Sequence, residues 1–188
     1  MCSSASPSKF VVLFTNISSV ILIPPTLKPT RDGYNFAGWF ETKYEPNEKP
    51  AGITSISSST IANVTDNTKV LYAYWTSGTF TVTFDANGGI ANKKSIEVTF
   101  KYEYNHNDTL ATATRTGYEF AGWYIKDTET LVKDDTKVLT ASNHTLVARW
   151  TAKTYLVALD GNEGLPSPQT ISVTYDEKYT QIAGKTAE

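Results

Sequence analysis

The chain repeats itself, and this internal repetition restricts the folds that it can adopt. Residues 33–39 read Gly-Tyr-Asn-Phe-Ala-Gly-Trp, and residues 117–123 read Gly-Tyr-Glu-Phe-Ala-Gly-Trp, 84 positions further on. Self-similarity of this kind is typical of small modules arranged in tandem rather than of one large enzyme domain. The chain is therefore expected to be an array of modules. The function of an array depends on the distance that it spans, the number of binding modules that it carries and the residues on their surface.

Two further motifs recur 75 positions apart, and they define the limits of the modules. Residues 71–75 match residues 146–150, and residues 84–89 match residues 159–164. Between its two tryptophans the first module has nine more residues than the second, with the proline and serine content of a surface loop. Three modules are predicted. The first (9–76) has a shortened front and carries this loop insertion after Trp39. The second (79–151) is complete, and the third (154–188) is truncated.

Apolar and polar side chains alternate along several short segments, which predicts strands. The run from Ile96 to Tyr104 alternates over nine residues, and the runs 80–84 and 155–159 follow the same pattern. Period-two patterning of β-branched and aromatic residues indicates half-buried strands. The segment 85–89 predicts a turn in which Gly88 or Gly89 has a positive φ. We expect a mainly β array with at most one short helix per module, between the tryptophans.

The tryptophans are assigned to the module cores. Leu71, Ala73 and Trp75 share one face of an extended strand, and the matching face of the second copy has the same character. A module of about 70 residues has little apolar area to bury, and large aromatic side chains bury the most. The residues assigned to the core or the turns are Gly33, Tyr34, Phe36, Gly38, Trp39, Trp75, Phe84, Asp85, Asn87, Gly88, Gly89, Gly117, Tyr118, Phe120, Gly122, Trp123 and Trp150.

No group of residues has the spacing that catalysis or a bound cofactor requires. His106 and His144 are the only histidines, and neither has a partner at ligand spacing. The Asn-Gly-Gly segment at 87–89 precedes neither a helix nor the Lys-Ser/Thr of a phosphate loop. Asp-x-Asn at 85–87 and 160–162 lacks the distal acid of a calcium loop, so turn capping is favoured. We expect no catalytic, cofactor-binding or metal-binding residue.

Charge and hydropathy narrow the choice of partners. The net charge is −2, and both signs are dispersed, so no basic patch indicates nucleic acid. The apolar run 10–23 is too short and too interrupted to span a membrane. Two front strands, Phe10–Phe14 and Val20–Ile23, are favoured there, and a weak signal peptide is the alternative.

Three ordered motifs resemble the Listeria–Bacteroides repeat family, the B-repeat type of internalin B. They are Phe-Thr-Val-Thr-Phe-Asp-Ala-Asn-Gly-Gly at 80–89, Thr-Arg-Thr-Gly-Tyr-Glu-Phe-Ala-Gly-Trp-Tyr at 114–124 and Leu-Val-Ala-Arg-Trp at 146–150, and segment 29–40 matches the central motif still more closely. The resemblance implies small α+β, β-grasp-like modules strung along extracellular surface proteins, without known catalysis. Ala113 departs from the family, which favours proline before Thr-Arg.

Two classes of function follow from these observations. The first is a non-enzymatic cell-surface or secreted stalk that serves as an adhesion or protein-interaction module. Its partner would be a surface protein or glycan of a host or a neighbouring cell. The second is a carbohydrate-binding module in which Tyr72 and Tyr74, on the strand face that varies between copies, stack on sugar rings.

Overall fold

The chain forms strands joined by turns. The computed structural model describes residues 9–13, 28–56, 68–165 and 169–179. These residues contain no helix, so the prediction of a mainly β chain is confirmed. Their strands are β1 (Lys9–Leu13), β2 (Tyr34–Phe40), β3 (Thr68–Ser77), β4 (Thr79–Asp85), β5 (Ile90–Ala91), β6 (Ser95–Thr99), β7 (Ala113–Thr114), β8 (Tyr118–Ile125), β9 (Leu131–Val132), β10 (His144–Ala152), β11 (Thr154–Ala158) and β12 (Thr170–Thr174).

The first compact unit comprises residues 1–80, 99–102 and 137–142. Its three-stranded sheet has the order β1-β3-β2, and β3 pairs antiparallel with both neighbours. The predicted front strand Phe10–Phe14 corresponds to β1, whereas Val20–Ile23 lies outside the described residues. The central position of β3 buries Leu71, Tyr74 and Trp75.

The second compact unit comprises residues 81–98, 103–136 and 143–188. Its main sheet has the order β6-β4-β10-β8-β9, and β10 runs parallel to β4 but antiparallel to β8. Two small sheets, β5-β7 and β11-β12, complete its described strands. The first strands of the two units therefore differ, because β1 runs antiparallel to β3 whereas β4 runs parallel to β10.

Period-two patterning places the core of the second unit on one face of its sheet. Val82 and Phe84 on β4 are buried, as are Ile96 and Val98 on β6, while the residues between them are exposed or half-buried. The central strand β10 buries Leu146 completely. Alternation of this kind places β-branched and aromatic side chains on the packed face and polar ones in water.

The short helix predicted between the tryptophans is absent from the second module. Residues 124–149 are all described, and they form the end of β8, a turn, β9, further turns and most of β10. The turn-forming residues Asp127 and Asn143 interrupt the apolar pattern, and Asp127 has a φ of +60°, which no helix accommodates. The second module therefore has no helix between its tryptophans, and the α component of the expected α+β module is not found in this copy.

Trp123 lies at the centre of the second core. Its side chain is 2% exposed, and its ring centroid is 4.8 Å from that of Phe84. The indole Nε1 donates a hydrogen bond of 2.7 Å to the carbonyl oxygen of Ala111. Burial of a tryptophan is favourable only when its N–H finds such an acceptor, so the residues before β7 are held against the sheet by this bond.

Candidate functional site

The Asp-Ala-Asn-Gly-Gly segment after β4 forms a tight turn. The amide of Gly89 donates to the carbonyl oxygen of Ala86 at 2.9 Å, and the two residues between them, Asn87 and Gly88, have φ of 46° and 83°. Positive φ at both central positions is the type I′ arrangement that suits hairpins. The carboxylate of Asp85 accepts the amide of Asn87 at 2.9 Å, so Asp85 caps the turn.

The same turn is attached to the closing strand β10. The side-chain amide of Asn87 donates to the carbonyl oxygen of Ala148, and the indole of Trp150 donates to that of Ala86 at 2.9 Å. A Cβ on Gly89 would lie 2.5 Å from the Trp150 ring. Gly89 therefore lacks a side chain because the half-buried tryptophan occupies that space.

A β-bulge explains the Phe-Ala-Gly part of the recurrent motif. Phe36 is opposite Trp75 and Gly38 is opposite Tyr74, so Ala37 is an extra residue. The second copy shows the same irregularity around Gly122. Gly38 and Gly122 have φ of 125° and 130°, a region that residues with a side chain avoid. Their missing side chains also make room for Ser55 and Leu131, whose atoms would lie 2.7 and 2.6 Å from an added Cβ.

The aromatic residues around the bulge divide into core and cover. Trp39, Trp75 and Trp123 are buried, whereas Trp150 is half-buried. Phe120 is 39% exposed and contacts Trp123 and Trp150 edge-on, with both centroid distances 5.4 Å. Phe120 therefore covers the two tryptophans from the surface of the sheet.

Tyr74 contradicts the prediction of an exposed aromatic face. Its side chain is 5% exposed, its ring packs edge-on against Phe40 and Tyr44, and its hydroxyl accepts the amide of Lys49 at 3.2 Å. Residues of the loop inserted after Trp39 thus cover Tyr74, whose ring has almost no surface left for a sugar. Tyr72 is half-buried.

The second copy covers the same position with charge instead of aromatic rings. Arg149 lies opposite the bulge, as Tyr74 does, and its guanidinium is 4.0 Å from the ring centroid of Tyr124. It forms a bidentate ion pair with Glu129 and donates to the carbonyl oxygen of Thr128 at 2.9 Å. The hydrogen bond from Arg149 lowers the pKa of Glu129. The acidic loop residue Glu129 thus has a structural partner.

His144 has a partner that sequence spacing did not reveal. Its Nε2 is 2.7 Å from the hydroxyl of Tyr104, 40 residues away. Tyr104 is 1% exposed, and burial raises its pKa to about 12. The pair connects the start of β10 to the turns after β6, and the buried hydroxyl is satisfied without a ligand.

The possible metal ligands are used in turns. In the matching segment 159–164, Asp160 accepts the amide of Asn162 at 2.9 Å, and Asn162 and Glu163 both have positive φ. This reproduces the capping of the 85–89 turn. Within the described part of the chain, no three His, Cys, Asp or Glu side chains are grouped so that they could hold a metal ion.

A second recurrent turn precedes each glycine-tryptophan strand. The amide of Tyr34 donates to the carbonyl oxygen of Arg31 at 3.0 Å, and the amide of Tyr118 donates to the carbonyl oxygen of Arg115 at 3.1 Å. The glycine before each tyrosine has a φ of 79°, as the third position of a type II turn requires. In both turns the guanidinium lies over the tyrosine ring, 4.2 and 3.9 Å from its centroid. We name these segments, 31–34 and 115–118, the Arg-x-Gly-Tyr turns.

An open groove lies beside each Arg-x-Gly-Tyr turn. The groove in the second unit has a volume of about 530 Å³ and is lined by Ile90, Arg115, Tyr118, Tyr175 and Asp176 among others. The groove in the first unit has a volume of about 580 Å³. Aromatic, cationic and carboxylate groups thus converge in the second groove.

Comparison with known proteins identifies the recurrent motifs. The family model of the Listeria-Bacteroides repeat domain matches residues 15–73 and 80–149, which together are more than half of the chain. No solved structure matches the chain. Among the described residues, no helix is long and apolar enough to cross a membrane.

Three curated relatives are similar over most of the chain. A putative membrane protein of Evansella cellulosilytica is 29% identical over 87% of the chain, and a putative Gly-rich membrane protein of the same organism is 27% identical over 76%. Internalin H of Listeria monocytogenes is 30% identical over 69%. The chain spans 23%, 15% and 21% of their respective lengths.

Ionisation of Tyr104 should weaken the second unit at alkaline pH. Because the pKa is about 12 in the folded chain and 10.0 in the ordinary phenol, this contribution is intact below pH 10 and is lost as the pH rises towards 12. The expected loss is about 2–3 kcal/mol of the free energy of unfolding. Urea unfolding at several pH values should show a shallower decline for Tyr104→Phe.

Tyr179→Phe is the control for that measurement, since Tyr179 is exposed. Its alkaline decline should equal that of the unmodified chain. If Tyr104→Phe declined as steeply as the control, the buried hydroxyl would not be the group responsible.

Proposed function

Because the chain belongs to the Listeria-Bacteroides repeat family, we propose that it is a non-enzymatic cell-surface or secreted repeat protein that acts as a stalk and as an adhesion or protein-interaction module. Its modules would be residues 9–76, 79–151 and 154–188. The proposed partner is a protein or glycan on a host or neighbouring cell. The names of the relatives, two membrane proteins and an internalin, support a location at the cell surface.

The observation that carries this proposal is that the recurrent residues are used for packing. The glycines at 38 and 122 accommodate a bulge, Trp123 holds the Ala111 carbonyl, and Asp85 caps a turn. Residues that recur for structural reasons produce a module that can be repeated while its surface varies. The position opposite the bulge tolerates such variation, since it holds the buried aromatic Tyr74 in one copy and the charged Arg149 in the other.

A display experiment tests the stalk role. The full chain would be inserted between a wall-anchoring sequence and a reporter domain on a Gram-positive cell, and labelling by a large antibody would be measured. Folded repeats should expose the reporter more than a Gly/Ser linker of equal residue number, because the reach of a flexible linker grows only with the square root of its length. Equal labelling of the two fusions would contradict the stalk.

A carbohydrate-binding role is the second candidate, and the groove beside residues 115–118 favours it. Tyr118 and Tyr175 supply rings, and Arg115 and Asp176 supply polar groups, at the wall of the groove. Sugars are bound by stacking combined with a few directed hydrogen bonds. Tyr74 no longer carries this candidate, because its side chain is buried.

Titration with soluble oligosaccharides separates the two candidates. Under the carbohydrate hypothesis, the ring signals of Tyr118 and Tyr175 should shift saturably in nuclear magnetic resonance spectra, and Arg115→Gln should weaken the binding. Under the stalk hypothesis, no saturable shift is expected for a broad panel of glycans. A saturable shift that Arg115→Gln left unchanged would place the sugar elsewhere.

A further inference from the structure

Each Arg-x-Gly-Tyr turn lies under an aromatic ring from a residue distant in sequence. In the first unit, a Cβ on Gly33 would lie 2.4 Å from Cε1 of Phe100. In the second unit, a Cβ on Gly117 would lie 2.3 Å from Cδ1 of Tyr175. Non-bonded carbon atoms do not approach so closely. The ring therefore occupies the space of the missing side chain at both glycines.

Each ring is carried by a turn of its own, which we name the aromatic turn (99–102 and 174–177). The amide of Tyr102 donates to the carbonyl oxygen of Thr99 at 3.1 Å, and the amide of Glu177 donates to the carbonyl oxygen of Thr174 at 3.2 Å. The residue after each ring, Lys101 or Asp176, has φ of 70° or 64°. Residues other than glycine seldom adopt this conformation. Its occurrence at both positions indicates that the same presentation of the ring is required twice.

Backbone hydrogen bonds connect the two kinds of turn. The amide of Gly78 donates to the carbonyl oxygen of Gly33 at 2.8 Å, and the carbonyl oxygen of Gly78 accepts the amide of Phe100 at 2.9 Å. Lys153 does the same between Gly117 and Tyr175, with both distances 2.9 Å. Gly78 and Lys153 directly precede β4 and β11, so the chain that enters the next module is held between the two turns.

The aromatic rings add a lateral contact to this arrangement. Tyr34 and Phe100 meet edge-on with centroids 5.2 Å apart, and Tyr118 and Tyr175 do so at 5.5 Å. Edge-to-face pairs of this geometry are favourable. In the second unit the hydroxyl of Tyr118 also donates to the carboxylate of Asp176 at 2.8 Å, and this hydrogen bond raises the pKa of Tyr118.

We propose that the Arg-x-Gly-Tyr turn is a docking site for the aromatic turn of the module that follows it in sequence, so that each module holds its successor. The partner that fits is a phenylalanine or tyrosine on a turn whose next residue is left-handed. Since one site takes Phe100 and the other Tyr175, the ring and not the hydroxyl is recognised. The coupling does not depend on where the protein is displayed, and the display experiment judges that role separately.

Amide hydrogen exchange in the full chain tests the proposal at the second site. The amides to follow are Lys153 and Tyr175, with Phe84, which donates to Lys94 at 2.9 Å, as the reference for the rest of the unit. Tyr175→Ala removes the ring, and Tyr175→Phe restores the ring found at the first site. Tyr155→Ala removes a tyrosine that is 46% exposed on β11 and is the matched control.

Tyr175→Ala should accelerate exchange at Lys153 and at position 175 about tenfold or more, with Phe84 within about twofold. Tyr175→Phe and Tyr155→Ala should stay within about twofold at all three amides. Gly117→Ala places a methyl group in the space that the Tyr175 ring occupies but keeps the ring itself. It should therefore accelerate exchange at Lys153 and Tyr175 as much as Tyr175→Ala does. The proposal is overturned if Tyr175→Phe is as damaging as Tyr175→Ala, if Lys153 is unaffected by loss of the ring, or if Phe84 accelerates equally.

Discussion

The structure depends on close approaches that only glycine allows. At Gly33, Gly117 and Gly89 an aromatic ring covers the Cα, and at Gly38 and Gly122 a side chain from the facing loop or strand does so. Each contact joins segments that are separated in sequence. A methyl group added at the glycine would collide with the ring or side chain that makes the contact. A module of about 70 residues has few other means of holding its loops to its sheet. The recurrent motif is thus a set of contact points.

These contacts connect the fold to its proposed use. When glycines and tryptophans supply the packing, the residue opposite the bulge can change together with the groups that cover it, as Tyr74 on β3 and Arg149 on β10 illustrate. An array can then present different surfaces on one scaffold. The docking that we propose at the Arg-x-Gly-Tyr turn rests on the same kind of contact, because its glycine is covered by Phe100 or Tyr175.

Local patterns predicted the strands and turns well, and longer-range contacts poorly. The alternation from Phe80 to Phe84 and the Asn87-Gly88 turn are properties of neighbouring residues, so they could be read from the sequence. The burial of Tyr74 depends on an inserted loop that packs against it. The Tyr104–His144 pair joins residues 40 positions apart, and no local pattern signals it. The rings on Gly33 and Gly117 could not be predicted for the same reason. One sequence feature does point to them, since Val-Thr-Phe at 98–100 recurs as Val-Thr-Tyr at 173–175, 75 positions further on.

The most direct test compares two glycines of the second unit that both have positive φ. Their φ values are nearly equal, 83° at Gly88 and 79° at Gly117. A Cβ on Gly88 would meet only the flexible Arg115 side chain at 3.3 Å, whereas a Cβ on Gly117 would lie 2.3 Å from Cδ1 of the Tyr175 ring. Gly88→Ala should therefore lower the free energy of unfolding by the backbone cost alone, about 1–2 kcal/mol. Gly117→Ala should lower it by about 3 kcal/mol or more, because overpacking against the Tyr175 ring is added to the same backbone strain. Equal losses in urea unfolding would show that φ alone selects these glycines and would contradict the close-approach account.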